Sequence, residues 1–536
     1  MLFESDLRIR TSRKSFATSA SLRRFTREED GGLIIFTLFI LICMLLAIGM
    51  AIDTVRTEFT RIKMQNVTDA AVLAAADLDQ TLDPKSVVED HLRRAGLNPD
   101  DVQITVTQGI DSRQVSAVTN YDVPTMFMNM VGIKDLSAPA AGTAMESVSE
   151  LEIALVLDNS GSMASNSNYR MNLLKPAAKN FVEQVLDNDS SDGKVAISII
   201  PFATQVTAGA GLLSQYKVSD EHSYSHCVTF DDADFSAAKL STTQPLNRTA
   251  HFDPSNTRMP PYSSSRVCRT DTSREITPWS DDVDYLKGRI DAMVGSGWTS
   301  IEIGAKWGAA LLDPSSRPVL TALIEDKTVD AKFAGQPFDY GSSDAEVSRM
   351  KYLVIMSDGE NTSQYDIKSP YRDGLSPLFL DGDTASLNNL SYYDADHSGD
   401  SKYYRFDISA WRQQPTGQDN ARQLSWPEVW DMMSVKYYVN RVEAKVPGLI
   451  DRTTYSDVVT GPSSTTKNTR TSNICKAAKD AGVLVFTIGM DTYGQGDTTL
   501  ADCASGPSYF YDVESDDLDQ AFTSIARTIN QLRLTN

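Results

Sequence analysis

The chain has 536 residues and 41% hydrophobic content, enough for two or three domains around a substantial core and too much for a disordered chain. Its formal net charge of −21 and pI near 4.7 argue against a nucleic-acid partner, because phosphate contacts need a basic surface. The acidity lies in the long C-terminal portion; the stretch through Arg27 is basic, with Arg8, Arg10, Arg13, Lys14, Arg23, Arg24 and Arg27 outnumbering Glu4 and Asp6.

This basic arm, residues 1–32, leads into an uncharged apolar run at residues 33–52, of the length that crosses a hydrocarbon core as a helix. A cleaved signal peptide is the alternative, but the run exceeds the usual apolar region of such peptides. Basic residues before the span place the N-terminus in the cytoplasm and the bulk of the chain outside. Cys43 lies in the span, while Cys227, Cys268, Cys475 and Cys503 fall on the outer side, where disulfides persist. Four cysteines allow three pairings; nearest-neighbour pairing, Cys227 with Cys268 and Cys475 with Cys503, keeps each bridge within one segment. A zinc site drawn from His222, His226, Cys227, His251 and Cys268 lacks a recognisable ligand spacing.

Beyond the span, Asp53 to Ala76 favours a helix that extends the anchor outward, with an alanine-rich end suited to close packing. The short basic arm, the single span, Asp53 and then Gln65-Asn66-x-x-Asp69-Ala70-Ala71-x-Leu73-Ala74 resemble the N-terminal region of TadG-like proteins of the Flp (type IVb, tight-adherence) pilus machinery. Residues 83–95 read as a helix and Val102 to Gln108 as a half-exposed strand, with partners at Arg113–Asp122 and Leu136–Met145. Residues 53–148 are thus expected to form a helical extension with a small α+β unit. The Met-rich run from Pro124 to Val131 is read as packing, since Met fills irregular cores.

The stretch Glu152-Ile-Ala-Leu-Val-Leu-Asp158-Asn-Ser160-Gly-Ser162 is an apolar run that ends in a carboxylate and two hydroxyls. It predicts a fully buried strand of a parallel sheet, with Asp158 just past its carboxyl end, where ligands bind in open sheets, and with Gly161 freeing the backbone so that the side chains converge. These hard oxygens suit Mg²⁺, although the same residue types also cap helices. Thr299 follows in a Gly-flanked loop before a helical run, and Lys351 to Ser357 is a second buried-type strand ending at Asp358. Asp-x-Ser-x-Ser, then Thr, then Asp resembles the von Willebrand factor A domain and its metal-ion-dependent adhesion site. The resemblance implies a doubly wound, mainly parallel α/β sheet of Rossmann type over residues 149–536. It implies further that Ser160, Ser162 and Thr299 ligate Mg²⁺, or Mn²⁺ or Ca²⁺, with Asp158 and Asp358 acting largely through water, and that a partner supplies a carboxylate.

Two long insertions, at about 207–290 and 361–470, interrupt that domain; loops this long carry function or structure of their own. In the second, Asp394-Ala-Asp396-His-Ser398-Gly-Asp400 matches the first half of an EF-hand loop, but Arg405 stands where a bidentate Glu is required, which leaves an acidic turn or an irregular calcium site. A helix is expected from Ser425 to Val442 with Trp426, Trp430 and Met433 in its core. The C-terminal part reads as a helix over Ser472–Ala481, a strand to Gly489, a short strand at Tyr509–Tyr511 and a last helix from Ser515, with Leu518, Phe522, Ile525, Ile529 and Leu532 on one stripe. The Cys475–Gly482 stretch and Ala526-x-x-Ile529-x-x-Leu532-Arg533-Leu534 again resemble TadG-like proteins.

The functional expectation is an inner-membrane protein, single-pass and mostly periplasmic, that binds subunits of a pilus or its machinery through a metal. A metal-dependent adhesin unrelated to pili is the alternative. A metal-dependent hydrolase fits less well, because none of the five histidines falls in the metal motifs and no nucleophile with an adjacent base is visible.

Overall fold

The structure is a computed structural model that describes residues 30–77, 80–108, 112–147, 150–186, 195–341 and 349–535. The basic arm expected over residues 1–32 lies almost entirely outside them. The chain divides into two compact units, residues 1–146 and 147–536.

In the first unit one helix, α1 (Asp30–Ala76), carries both the apolar run and its extension. Among the described residues it alone is long and apolar enough to cross a membrane. Its alanine-rich end is a packing face, since Ala71, Val72, Ala75 and Ala76 are buried with Val88 and Leu92 of α2 (Pro84–Arg94) and with Val115 and Ala117. Helix α2 starts where Asp83 accepts from the Ser86 amide and Pro84 fills the first turn. Three strands follow, β1 (Val102–Gln108), β2 (Ser112–Pro124) and β3 (Asp135–Ser147), with β2 central. Gln65 of α1 clasps the backbone of β3, donating to Ala141 O at 2.8 Å and accepting from Ala141 N at 3.3 Å. The Met-rich run is not packing as expected: Met126, Met130 and Val131 stand 65%, 77% and 53% exposed in the turn between β2 and β3.

The second unit is a six-stranded sheet. Its strands are β4 (Glu150–Asp158), β5 (Val195–Phe202), β6 (Thr277–Ser280), β7 (Arg349–Ser357), β8 (Leu484–Met490) and β9 (Phe510–Val513), in the spatial order β9-β8-β7-β4-β5-β6. All neighbours are parallel except the short edge strand β6. In chain order this is 6-5-4-1-2-3, the doubly wound order that the metal motif implied, with the direction of winding reversing between β4 and β7. Strand β4 sends Ala154 and Val156 to one core and Leu151, Ile153, Leu155 and Leu157 to the other. Burial on both faces explains why it reads as a continuous apolar run.

One core is closed by α3 (Ser165–Leu186) and the C-terminal α6 (Leu518–Thr535), the other by α4 (Ile301–Leu312) and α5 (Ser464–Asp480). Leu518, Phe522, Ile525 and Ile529 of the expected stripe are buried; the Leu532 side chain lies outside the described ones. Regular helix in α3 begins at Tyr169, because Asn166, Ser167 and Asn168 take left-handed φ of 51°, 62° and 64°. Helix α5 starts at Ser464, eight residues earlier than the sequence suggests, with Ser463 as its cap.

The excursions from the sheet are shorter than expected. The first closes at Ile276, because β6 and the helix Val283–Ala292 belong to the sheet and its helical layer, and the second closes at Ser463. The second excursion builds a five-stranded antiparallel sheet from short segments between Leu375 and Ser425. The helix expected from Ser425 to Val442 breaks: a capping box at Ser425 and Glu428 starts Trp426–Met432, and Met433 is extended (φ −148°, ψ 154°) before a further turn. Trp426, Trp430 and Met433 are buried as expected. The two excursions share one core, with Ala250, Phe252 and Val267 of the first packed among Leu378, Trp430 and Tyr438 of the second. Arg266 donates to Asp431 at 2.8 Å across this contact.

The acidic turn holds no calcium loop. Lys402 extends its ammonium into it and donates to the carbonyls of Ala395 and His397 at 2.8 and 2.5 Å. The zinc alternative also fails, because Cys227 is bonded to Cys268, while His222 and His251 stack on Tyr224. Cys475 is bonded to Cys503, and the Cα separations of 6.1 and 5.0 Å are ordinary for disulfides. These bridges close loops of 41 and 28 residues. Each should stabilise the fold by about 3 to 4 kcal/mol through the entropy it removes from the unfolded chain. Denaturant unfolding of Cys227→Ser with Cys268→Ser, and of the second pair likewise, measures this, and peptide mapping without reductant checks the pairing.

Candidate metal centre

Asp158 and Asp358 leave adjacent parallel strands at the point where the winding reverses, so the fold alone brings two carboxylates to one crevice. Asp158 is not beyond its strand, as the sequence suggested; it is the last residue of β4 and has no exposed surface. Its Oδ1 accepts from the Ser160 amide and its Oδ2 from the Ser357 hydroxyl, both at 2.7 Å. The Ser160 and Ser162 hydroxyls lie 2.9 Å apart, and Ser162 donates to Asp358 Oδ1 at 2.6 Å. Four of the five predicted residues are therefore joined by hydrogen bonds, oxygen to oxygen from Ser160 through Ser162 to Asp358, and through the Ser160 amide to Asp158.

Thr299 lies on a different loop, tied to the first by backbone bonds from Gly161 N to Gly297 O and from Ser296 N to Asn159 O, both 2.9 Å. Gly161 serves close approach rather than an unusual backbone: its φ and ψ are −66° and −29°, and a Cβ there would stand 3.0 Å from Gly297 O. Thr299 itself is 4% exposed and is held by its backbone, which donates to Thr362 Oγ1 at 3.0 Å.

Residues that no motif marks hold these loops. Arg274, buried near the end of the first insertion, donates to Asn159 O (3.3 Å), Val294 O (2.7 Å) and Ser296 O (3.0 Å), and so joins the serine loop to the threonine loop. Lys467 of α5 has no exposed surface; its ammonium donates to Thr299 O (2.6 Å), Ser300 Oγ (2.7 Å) and Thr362 O (2.8 Å) and stands 3.7 Å from Glu302. Asn361 caps α4 by accepting from Ile301 N at 2.8 Å. Arg170 of α3 bridges Asp358 Oδ2 (3.0 Å) and Asp491 Oδ2 (3.1 Å), putting a half-buried positive group at the rim. A Lys or Arg far along the chain carries no local pattern, which is why these contacts escaped the sequence.

The electrostatics favour a cation. Burial and the neighbouring Asp358 push the Asp158 carboxyl up to about 7, and burial also raises Asp358, against the pull of Ser162 and Arg170. The oxygen spacings of 2.9 and 2.6 Å are near the ~2.9 Å edge of an octahedron with magnesium–oxygen bonds of ~2.1 Å. Among the described residues, no group of three or more His, Cys, Asp or Glu side chains could hold a metal, so this centre relies on its hydroxyls. The donor set is of the hard-oxygen kind that suits a divalent ion, and Asp158, Ser160, Ser162, Thr299 and Asp358 are the residues that would hold it. Because metal and proton would compete at Asp158, magnesium affinity should fall as pH drops below about 7, toward about tenfold per pH unit. Calorimetric titration with magnesium chloride between pH 8 and 6 tests this, and a pH-independent affinity would rule it out.

Residues 31–78 match the Tad family model, described as "Putative Flp pilus-assembly TadE/G-like". No curated relative matches the chain. Among solved structures, the von Willebrand factor domain of the type V pili tip protein Mfa5 from Porphyromonas gingivalis is similar at 15% identity, over 73% of this chain and 98% of that one, with a TM-score of 0.34. The pilus adhesin RrgA from Streptococcus pneumoniae is similar at 12% identity, over 80% and 49%, with a TM-score of 0.33. The pilus adhesin SpaC from Lactobacillus rhamnosus GG is similar at 13% identity, over 80% and 34%, with a TM-score of 0.28. The chain thus spans nearly the whole of the first and between a third and a half of the other two.

Proposed function

We propose that this chain, whose N-terminal segment is TadE/G-like, is a single-pass inner-membrane protein of Flp pilus assembly. It holds its second unit in the periplasm and captures a partner through a divalent metal. The observation that carries the reading is the hydrogen-bonded set Asp158, Ser160, Ser162 and Asp358, set at the reversal point of the sheet beside the Thr299 loop. With neutral hydroxyls as the direct ligands and the two carboxylates set back, a bound magnesium ion would stay electrophilic and would accept a carboxylate from a pilus or machinery subunit. Arg170 at the rim adds a second positive group for that carboxylate to meet. The chemistry is recognition rather than turnover.

The length of the apolar helix and its flanking charge support uncleaved anchoring. Crosslinking in cells followed by mass spectrometry should recover pilus subunits or machinery with the wild-type chain and lose them when magnesium is chelated. Recovery of only extracellular surface ligands, with normal pili in a deletion strain, would favour the adhesin instead.

A further inference from the structure

An exposed apolar turn is clamped against the outer end of the apolar helix. Asp53, the first charged residue after the run at 33–52, is 2% exposed, and its carboxylate accepts three backbone N–H groups from one turn: Met126 at 3.0 Å, Phe127 at 2.8 Å and Met128 at 2.7 Å. The neck of the turn is closed where Thr125 donates to Lys134 O at 2.9 Å, and Arg56 donates to Pro124 O at 3.3 Å. Phe127 lies on Gly49, where a Cβ would come within 2.5 Å of Phe127 Cβ, so the contact admits only glycine. Between Asp122 and Lys134 the chain has no charge. Met126, Phe127, Met130, Val131 and Ile133 nevertheless stand 65%, 38%, 77%, 53% and 42% exposed.

Gly49 precedes the end of the apolar run by three residues, so at ~1.5 Å per residue Phe127 touches the helix about 4 to 5 Å inside that end. A helix placed across a bilayer by residues 33–52 therefore carries this turn to the boundary between acyl chains and headgroups. We propose that Met126–Ile133 is a second membrane contact. It dips into the leaflet on the side of the folded units, with Asp53 as the clamp, and so fixes the first unit on the bilayer surface instead of leaving it on a free stalk. The proposal rests on the anchor reading above. It commits to lipid because the turn is continuous with the apolar helix, because uncharged apolar side chains suit that boundary, and because the Asp53 carboxylate reaches it with three amide donors already in place. Lys134, exposed at the neck, can direct its ammonium outward to the headgroups.

The test uses the full chain in vesicles of phosphatidylethanolamine and phosphatidylglycerol whose acyl chains carry nitroxide quenchers. A fluorophore is placed on Met130→Cys in a Cys43→Ser background, on Gln114→Cys near the other end of β2, or on native Cys43. Lipid nitroxide should quench the labels at 130 and 43 and spare the one at 114, and Asp53→Ala should reduce quenching at 130 while leaving it at 43. A label at 130 quenched by aqueous iodide and not by lipid, with 43 still quenched by lipid, overturns the second contact and leaves the anchor standing. A label at 130 shielded from both quenchers places a protein over the turn and overturns it too. Loss of lipid quenching at 43 would instead remove the anchor itself.

Discussion

Asp158→Asn should weaken magnesium binding by about 10–100-fold and abolish pilus assembly, while the protein stays folded and at its normal level. The asparagine is chosen because Asp158 is fully buried at the end of β4 and satisfies two donors, the Ser160 amide and the Ser357 hydroxyl. An amide side chain keeps an acceptor for the Ser160 N–H, and the Ser357 hydroxyl can turn to accept from the new amide. Asp158→Ala would leave both groups unpaired in a closed crevice at ~1–3 kcal/mol each, so a loss of pili there would not separate metal binding from folding. Wild-type protein should gain up to about 2.7 kcal/mol from magnesium at 100 times its dissociation constant, and the asparagine variant should gain little. Calorimetry, thermal unfolding with and without magnesium, and pilus counts by microscopy give the three readings. Unchanged magnesium affinity in Asp158→Asn would reduce the motif to a turn and a helix cap.

Lys467→Ala should cost about 3–5 kcal/mol, because it removes the ammonium 3.7 Å from Glu302, whose carboxylate has no exposed surface. Burial pushes both members toward their neutral forms, lowering Lys467 and raising Glu302, so the attraction between them does not fully offset their removal from water. Three oxygen acceptors hold the ammonium in place, one of them the carbonyl of Thr299. The double variant Lys467→Met with Glu302→Leu should therefore recover most of the stability but not the magnesium affinity, since apolar side chains fill the space without fixing the threonine loop. Denaturant unfolding and calorimetry separate the two effects. Full recovery of affinity in the double variant would show that Lys467 supports the fold and not the site.

Local pattern was enough wherever burial leaves a periodic trace. The runs ending at Asp158 and Ser357 read as strands because both faces of a central parallel strand are covered, and the C-terminal stripe read as a helix because one face meets the sheet. Three cysteine pairings were open in the sequence, and the preference for nearest neighbours agrees with the bonds from Cys227 to Cys268 and from Cys475 to Cys503. The Met-rich turn misled because apolar composition alone does not say whether a side chain is covered by the rest of the fold. The length of β4 was misjudged by one residue, and that residue decides whether the Asp158 carboxylate is exposed or buried. Only the tertiary structure could place Arg170, Arg274 and Lys467 or join the two insertions around a common core. Their partners lie far away in sequence, and a single charged or aromatic residue has no period to betray it. By itself the sequence determined the sheet, the long apolar helix and the carboxylates at the ends of two neighbouring strands, since each follows from a run of neighbours; what holds Asp158, Ser160, Ser162 and Asp358 together was decided by contacts between loops that meet only after the sheet is wound.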